Sequence, residues 1–186
     1  MQKNSKLLIV GGTGFIGKSI AKEAIKCGFQ VTIISKNNCQ KSKQLKGAEY
    51  ISVDVTNKET LLLVLKDRLF CYVLNLSGYI NHSSYFFGGS EVFNVHFNGT
   101  QNLINCIEKS NLKCFIQIGS SDEYGNNPAP QFEAQREAPI SPYAFAKTST
   151  THFLQMLYRT EKFPVVILRP FLVYGPIILA LPSFLP

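Results

Sequence analysis

One stretch near the start of the chain admits few folds. In LLIVGGTGFIG, Leu7 to Gly17, four apolar residues run straight into a turn that holds Gly11, Gly12, Gly14 and Gly17. The next residues, KSIAKEAIK, carry a helical pattern. A glycine turn between a strand and a helix lets an anion reach the helix N-terminal N–H groups and their dipole, where a side chain would block it. The glycines can be counted as G-x-G-x-x-G from Gly12 or as G-x-x-G-x-x-G from Gly11. Both counts describe a strand turning into a helix over a phosphate, and so a dinucleotide site.

The rest of the chain supplies a setting for that turn. Short β-branched runs at Leu7–Val10, Val31–Ser35, Tyr50–Val53, Tyr72–Leu76, Cys114–Ile118 and Val165–Leu168 read as strands. Helical patterns lie between them near Gly14–Cys27, Lys58–Leu69, Glu91–Ser110 and Pro142–Glu161. Apolar strands separated by helices predict an α/β fold, a doubly wound, Rossmann-like parallel sheet covered on both faces. The polar, proline-bearing stretch from Tyr124 to Pro142 reads as a long loop, where function concentrates.

Composition narrows the partners. A hydrophobic content of 45% with 17% charged residues is that of a globular chain, and 186 residues suffice for one core. The formal charge of +7 is scattered rather than striped, so anionic small molecules are expected and nucleic acid is not. Cys27, Cys39, Cys71, Cys106 and Cys114 form no C-x-x-C pair, which argues against a zinc site or disulfide framework and for the cytoplasm. No metal is expected. Leu7–Val10 is too short for a signal peptide, and Pro176 and Pro182 interrupt the apolar C-terminal run well short of a membrane span.

A cofactor path can be traced along the strand ends. Gly11, Gly14 and Gly17, with Thr13, Phe15 and Ile16 between them, form the diphosphate turn. An acid about twenty residues further on would hold the adenosine ribose of NAD. Here the second strand ends in Ser35 and Lys36, and no acid lies between Glu23 and Glu49. With Lys41 and Lys43 nearby, the cofactor is NADP or NAD, with a lean to the 2′-phosphate of NADP; solvated lysines are the alternative. Asp54, followed by Val55, could accept from the adenine amino group. After the fourth strand, Leu76, Ser77 and Gly78 would let the cofactor lie against the backbone.

Tyr143 and Lys147 in SPYAFAK are four apart, hence on one face of a helix. An ammonium beside a phenol favours the phenolate and suits it to acid–base work. The strand CFIQI runs into GSSDEYG, where Ser120 or Ser121 could hydrogen-bond the reacting oxygen, or simply cap a turn.

In GGTGFIG, Asp54–Val55, GSSDEYG, SPYAFAK and LRPFLVYGP the chain resembles the extended short-chain dehydrogenases/reductases, the NAD-dependent epimerase/dehydratase family that modifies nucleotide sugars. The resemblance implies the count from Gly11 and makes Gly12 an extra. It also implies Tyr143 as acid/base, Lys147 as the lysine that lowers its pKa and binds the nicotinamide ribose, and Ser120 as the catalytic hydroxyl, with Ser121 next in line. The implied substrate is a nucleoside-diphosphate sugar, and the implied chemistry is hydride transfer at a sugar carbon. Dehydratases of the family carry an Asp-Glu pair after the catalytic hydroxyl. Ungapped, those positions are Ser121 and Asp122, which favours a 4-keto reductase or epimerase; a shift of one residue would restore the pair as Asp122 and Glu123.

Family members typically continue into a C-terminal domain that grips the sugar nucleotide. The expectation is therefore a dinucleotide-binding domain at 1–170, a stub of the substrate region at 171–186, and a substrate domain largely missing. Two readings follow: an active enzyme, or a remnant or partner subunit that holds cofactor without turnover. The uncharged tail from Phe171 to Leu185 is expected to expose apolar surface and favour self-association. A homodimer stays open as the assembly.

Overall fold

A computed structural model describes residues 4–175. Six strands form one parallel sheet: β1 (Lys6–Val10), β2 (Gln30–Ser35), β3 (Ala48–Ser52), β4 (Tyr72–Asn75), β5 (Cys114–Ile118) and β6 (Val165–Leu168), in the order β3-β2-β1-β4-β5-β6. Between them run α1 (Phe15–Lys26), α2 (Lys58–Leu65), α3 (Ser90–Phe93), α4 (Gly99–Cys106) and α5 (Pro142–Glu161). This is the doubly wound Rossmann-like sheet that the alternation predicts.

Strand alternation divides the core in two. Leu8 and Val10 of β1 join Val73, Phe115, Leu61, Leu103 and Leu154 on the face covered by α2, α4 and α5. Leu7 and Ile9 join Val31, Ile33, Leu74, Ala21 and Ala24 under α1. Coverage is less complete than expected from the apolar strands. Val166 and Leu168, on the α1 face of the edge strand β6, are each 48% exposed. Among the described residues α1 is the helix that packs on that face, and it lies over β1 and β2.

The pattern read as one helix over Glu91–Ser110 is interrupted. Asn94–Asn98 form a π-helical turn between α3 and α4, and the helix ends at Cys106. Such turns occur where one residue more than the α spacing must be accommodated, frequently at functional sites. The stretch between Tyr124 and Pro142 contains no helix or strand, as expected. Phe171, Leu172 and Tyr174 are exposed, in line with the apolar surface expected there. The tail residues expected to extend it, from Pro176 onward, lie outside the described residues, as does the larger part of the 171–186 stub.

Candidate functional site

The first turn is built by contact as much as by conformation. Gly11 has φ +78°, which a side chain disfavours, and a Cβ there would meet the Leu76 carbonyl at 2.7 Å. A Cβ on Gly17 would sit 2.6 Å from the Gly11 carbonyl oxygen. Gly12 is not an extra: its Cβ would meet Ile33 Cγ2 at 2.7 Å, so the turn needs it for packing. Gly14 differs from all three. A Cβ there meets the Gly11 carbonyl oxygen at 3.4 Å and nothing nearer, so its side-chain direction is open. Gly14 is also the N-cap of α1 and exposed, beside exposed Thr13 and half-buried Phe15 and Ile16. The first N–H groups of a helix have no intrahelical partner, so an open glycine at this position fits a diphosphate.

At the end of β2 the two residues assigned separate tasks face each other. Lys36 Nζ lies 2.8 Å from Asp54 Oδ2, while the Thr56 N–H and hydroxyl donate to Asp54 Oδ1 at 2.9 and 2.8 Å. These hydrogen bonds hold the Asp54 carboxyl below its usual value despite the opposing effect of burial. Lys36 is thus paired rather than free, and Asp54 already has donors before any adenine amino group arrives. The Ser35 hydroxyl donates to the Asn37 carbonyl at 2.8 Å. Val55 packs its side chain in the core and its carbonyl accepts from Asn102, so it can meet a ligand through backbone only.

Past β4, the Leu76 N–H extends the ladder to the Val10 carbonyl. The Ser77 N–H and hydroxyl both bond Asn75 Oδ1, at 3.1 and 2.6 Å, so Ser77 turns inward. Gly78 is small for a local reason: a Cβ would meet His96 Cε1 at 2.9 Å.

The residues singled out for chemistry come together beyond β5. Ser120 caps a short 3-10 turn, Ser121–Tyr124; its hydroxyl accepts from the Asp122 N–H at 3.1 Å. Tyr143 and Lys147 occupy the first turns of α5, which starts where Ser141 accepts from the Ala144 N–H and Pro142 fixes the first helical φ. The Ser120 side chain acts on the Tyr143 phenol, in the direction that lowers its pKa. Lys147 Nζ lies 5.7 Å from the Tyr143 ring centre and donates to the Ile118 carbonyl at 2.8 Å.

One electrostatic expectation is corrected. The Tyr143 phenol stands above its ordinary value, not below it: burial pushes it up, against the Ser120 side chain, and the charges of Asp122 and Glu123 add to the rise. Lys147 itself is buried, and desolvation brings it down to about 8 from 10.5. The unfolded chain therefore holds more protons than the folded one between those two values, so stability rises with pH across the window. Compared with Lys147→Met, the wild-type chain should gain thermal stability between pH 7 and pH 9.5. A constant difference in unfolding temperature would contradict this placement of Lys147.

Three further groups belong to the site, and of these the sequence names only Glu123, as one half of an acid pair. Tyr143 stands edge-on to His96, ring centres 5.3 Å apart, and tilted against His82 at 5.6 Å. His96 sits in the π-helical turn, 2% exposed, and burial first and Lys147 second push it down to about 3, so its ring stays neutral. Asn75 ties the strand ends together through Thr100 (3.0 Å) and Gln117 (2.8 Å), all buried. Glu123 lies wholly inside, bonded to Arg169 and Thr151. A histidine inside an apolar helical pattern and an Asp-Glu pair beside a serine were the available signals.

Fold and site together define a Rossmann-like α/β domain with a Ser–Tyr–Lys group at the carboxyl edge of its sheet. Residues 7–182 match the NAD dependent epimerase/dehydratase family, and the chain belongs to that family. Among curated relatives, the dTDP-D-glucose 4,6-dehydratase of Mus musculus is 25% identical over 92% of this chain and 51% of its own length. The UDP-N-acetylglucosamine 4-epimerase of Methanobrevibacter ruminantium, solved with UDP-N-acetylmuramic acid, is 28% identical with a TM-score of 0.81, covering 94% of this chain and 57% of that one. The UDP-glucose 4-epimerase of Thermotoga maritima, solved with UDP-glucose, shares the fold at a TM-score of 0.83 and 24% identity, over 92% and 57%. The chain spans about half the length of the curated relatives it matches. Among the described residues no helix is long and apolar enough to cross a membrane.

Proposed function

We propose that the chain binds a nicotinamide dinucleotide along the carboxyl ends of β1, β2 and β4 and serves oxidoreduction of a nucleoside-diphosphate sugar, as a 4-keto reductase or epimerase. The observation that carries this reading is the grouping of Ser120, Tyr143 and Lys147, with Lys147 Nζ 5.7 Å from the Tyr143 ring and the open Gly14 turn at the same sheet edge. In this reading residues 1–170 hold the cofactor and 171–186 begin the substrate region. When bound, the dinucleotide supplies or takes up hydride at a sugar carbon. Ser120 holds the reacting oxygen, and Tyr143 gives or takes its proton, so that charge on that oxygen is met by a prepositioned donor. Lys147, fixed by the Ile118 carbonyl, would orient the nicotinamide ribose.

The state of the acids supports reduction or epimerisation over elimination. Glu123 is enclosed and bonded to the Ser120 N–H, Thr151 and Arg169, which removes it from direct proton transfer. With Ser120 as the catalytic hydroxyl, Ser121 stands where an elimination would need an acid. A cytoplasmic setting accords with five free thiols. Incubating the purified chain with a nucleoside-diphospho-4-keto sugar and reduced cofactor, and following loss of reduced-nicotinamide absorbance, tests this directly. Consumption in step with the reduced sugar supports the reading; cofactor binding without consumption assigns the chain to holding the cofactor alone.

NADP(H) is the cofactor this reading prefers, because Lys36 follows the end of β2 at Ser35, Lys41 and Lys43 lie on the next turn, and the sequence holds no acid between Glu23 and Glu49. Lys36→Asp should shift relative affinity toward NAD(H) by roughly tenfold. Calorimetric titration with both cofactors decides it, and a wild-type preference for NAD(H) would refute it.

A further inference from the structure

Glu123 has no exposed surface, and its partners come from three parts of the chain. Oε1 accepts the Ser120 N–H at 3.0 Å, and Oε2 accepts the Thr151 hydroxyl of α5 and Arg169 Nε, both at 2.8 Å. Arg169, next after β6, lies 5.1 Å above the Tyr124 ring and also pairs with Glu137, whose other oxygen is 3.2 Å from His152 Nε2. An enclosed carboxylate is costly unless paired, and this one is paired on both oxygens. Gly119 makes room for it, since a Cβ there would run into the Glu123 carboxylate.

We infer that Glu123 is the positioning residue of the Ser120–Tyr143 pair: it anchors the Ser120 backbone to α5 and Arg169, so that the hydroxyl meets the phenol, and it sets a buried negative charge behind Tyr143 and Lys147. This rests on the proposed role of that pair. The capping geometry shows the coupling: one residue carries both the Ser120 N–H bond and the buried charge, while the Ser120 hydroxyl caps the same turn. The charge acts on both members of the tyrosine–lysine pair, raising Tyr143 and opposing the fall of Lys147. The other titratable groups facing Tyr143 are Asp122 from the same turn, Lys147 from α5, His96 from the π-helical turn and His82 from the loop after β4. An acid so engaged tunes the site without exchanging protons with substrate.

The test is an ultraviolet titration of the Tyr143 phenol in the full chain, isolated by subtracting the Tyr143→Phe variant in each background. In folded Glu123→Gln the lost charge lowers the Tyr143 midpoint while a released Ser120 raises it, so the decisive reading is the size of the Ser120→Ala effect. Ser120→Ala should raise the midpoint in the wild-type background and raise it less when combined with Glu123→Gln, because Ser120 is then no longer held. Glu123→Asp keeps the charge but withdraws the carboxylate, so it should shrink the Ser120→Ala effect without the lowering that loss of the charge brings. It serves as the test if Glu123→Gln does not fold. An equal Ser120→Ala effect in every background overturns the inference. The titration needs no nicotinamide, whereas the proposed function fails on absent cofactor binding, so the two failures are distinct.

Discussion

Gly14→Val is expected to abolish dinucleotide binding, by at least about 100-fold in Kd, while leaving the fold in place. Gly14 has φ −72° and ψ 176°, an extended conformation that valine adopts without strain. Its Cβ would meet nothing nearer than the Gly11 carbonyl oxygen at 3.4 Å. The substitution therefore costs about 1 kcal/mol as a poorer N-cap, a small shift in unfolding temperature. Its branched methyls would stand where a diphosphate must approach the first N–H groups of α1. Gly17→Val makes the contrast, because its Cβ would sit 2.6 Å from the Gly11 carbonyl oxygen and damage the fold itself. Calorimetric titration beside thermal melts separates the two, and wild-type affinity in folded Gly14→Val would contradict the diphosphate placement.

Tyr143→Phe is expected to reduce hydride transfer to a 4-keto sugar by about 10²- to 10⁴-fold, the usual contribution of a positioned acid or base. The ring contacts to His96 and His82 survive in the phenylalanine, so its position should hold. What goes is the hydroxyl on which the Ser120 side chain acts. Cofactor affinity should change little, since the diphosphate turn lies on a different strand end. Turnover at the wild-type rate would remove Tyr143 from the chemistry; equal loss of cofactor affinity would make it a binding residue instead.

The parts of this molecule legible in the sequence are those with a local cause. The strand at Leu7–Val10, the glycine turn and α5 from Pro142 to Glu161 each carry their own signal, in periodicity, capping serine and helix-start proline. The Tyr143–Lys147 spacing was legible for the same reason. What was not legible depends on residues distant in the chain. Lys36 and Asp54 each suggested a ligand contact, and only the fold shows that they occupy one another. Gly12 looked dispensable because its packing partner, Ile33, lies on the next strand. Glu123 could be read as half of a catalytic acid pair until Arg169 and Thr151, far along the chain, enclosed it. The π-helical turn at Asn94–Asn98 left no mark in the apolar pattern that spans it.

A crystal structure of the chain grown with NADP(H) would test the central claim most directly. The account predicts the diphosphate against Gly11–Gly17, the adenosine ribose beside Ser35 and Lys36, and the nicotinamide ring within reach of Ser120 and Tyr143. The sheet's opposite edge offers a cleft of about 440 Å³ lined by Phe29, Thr32, Glu49 and Arg68. A dinucleotide found there, or a Gly11–Gly17 turn left without diphosphate at saturating cofactor, would contradict it.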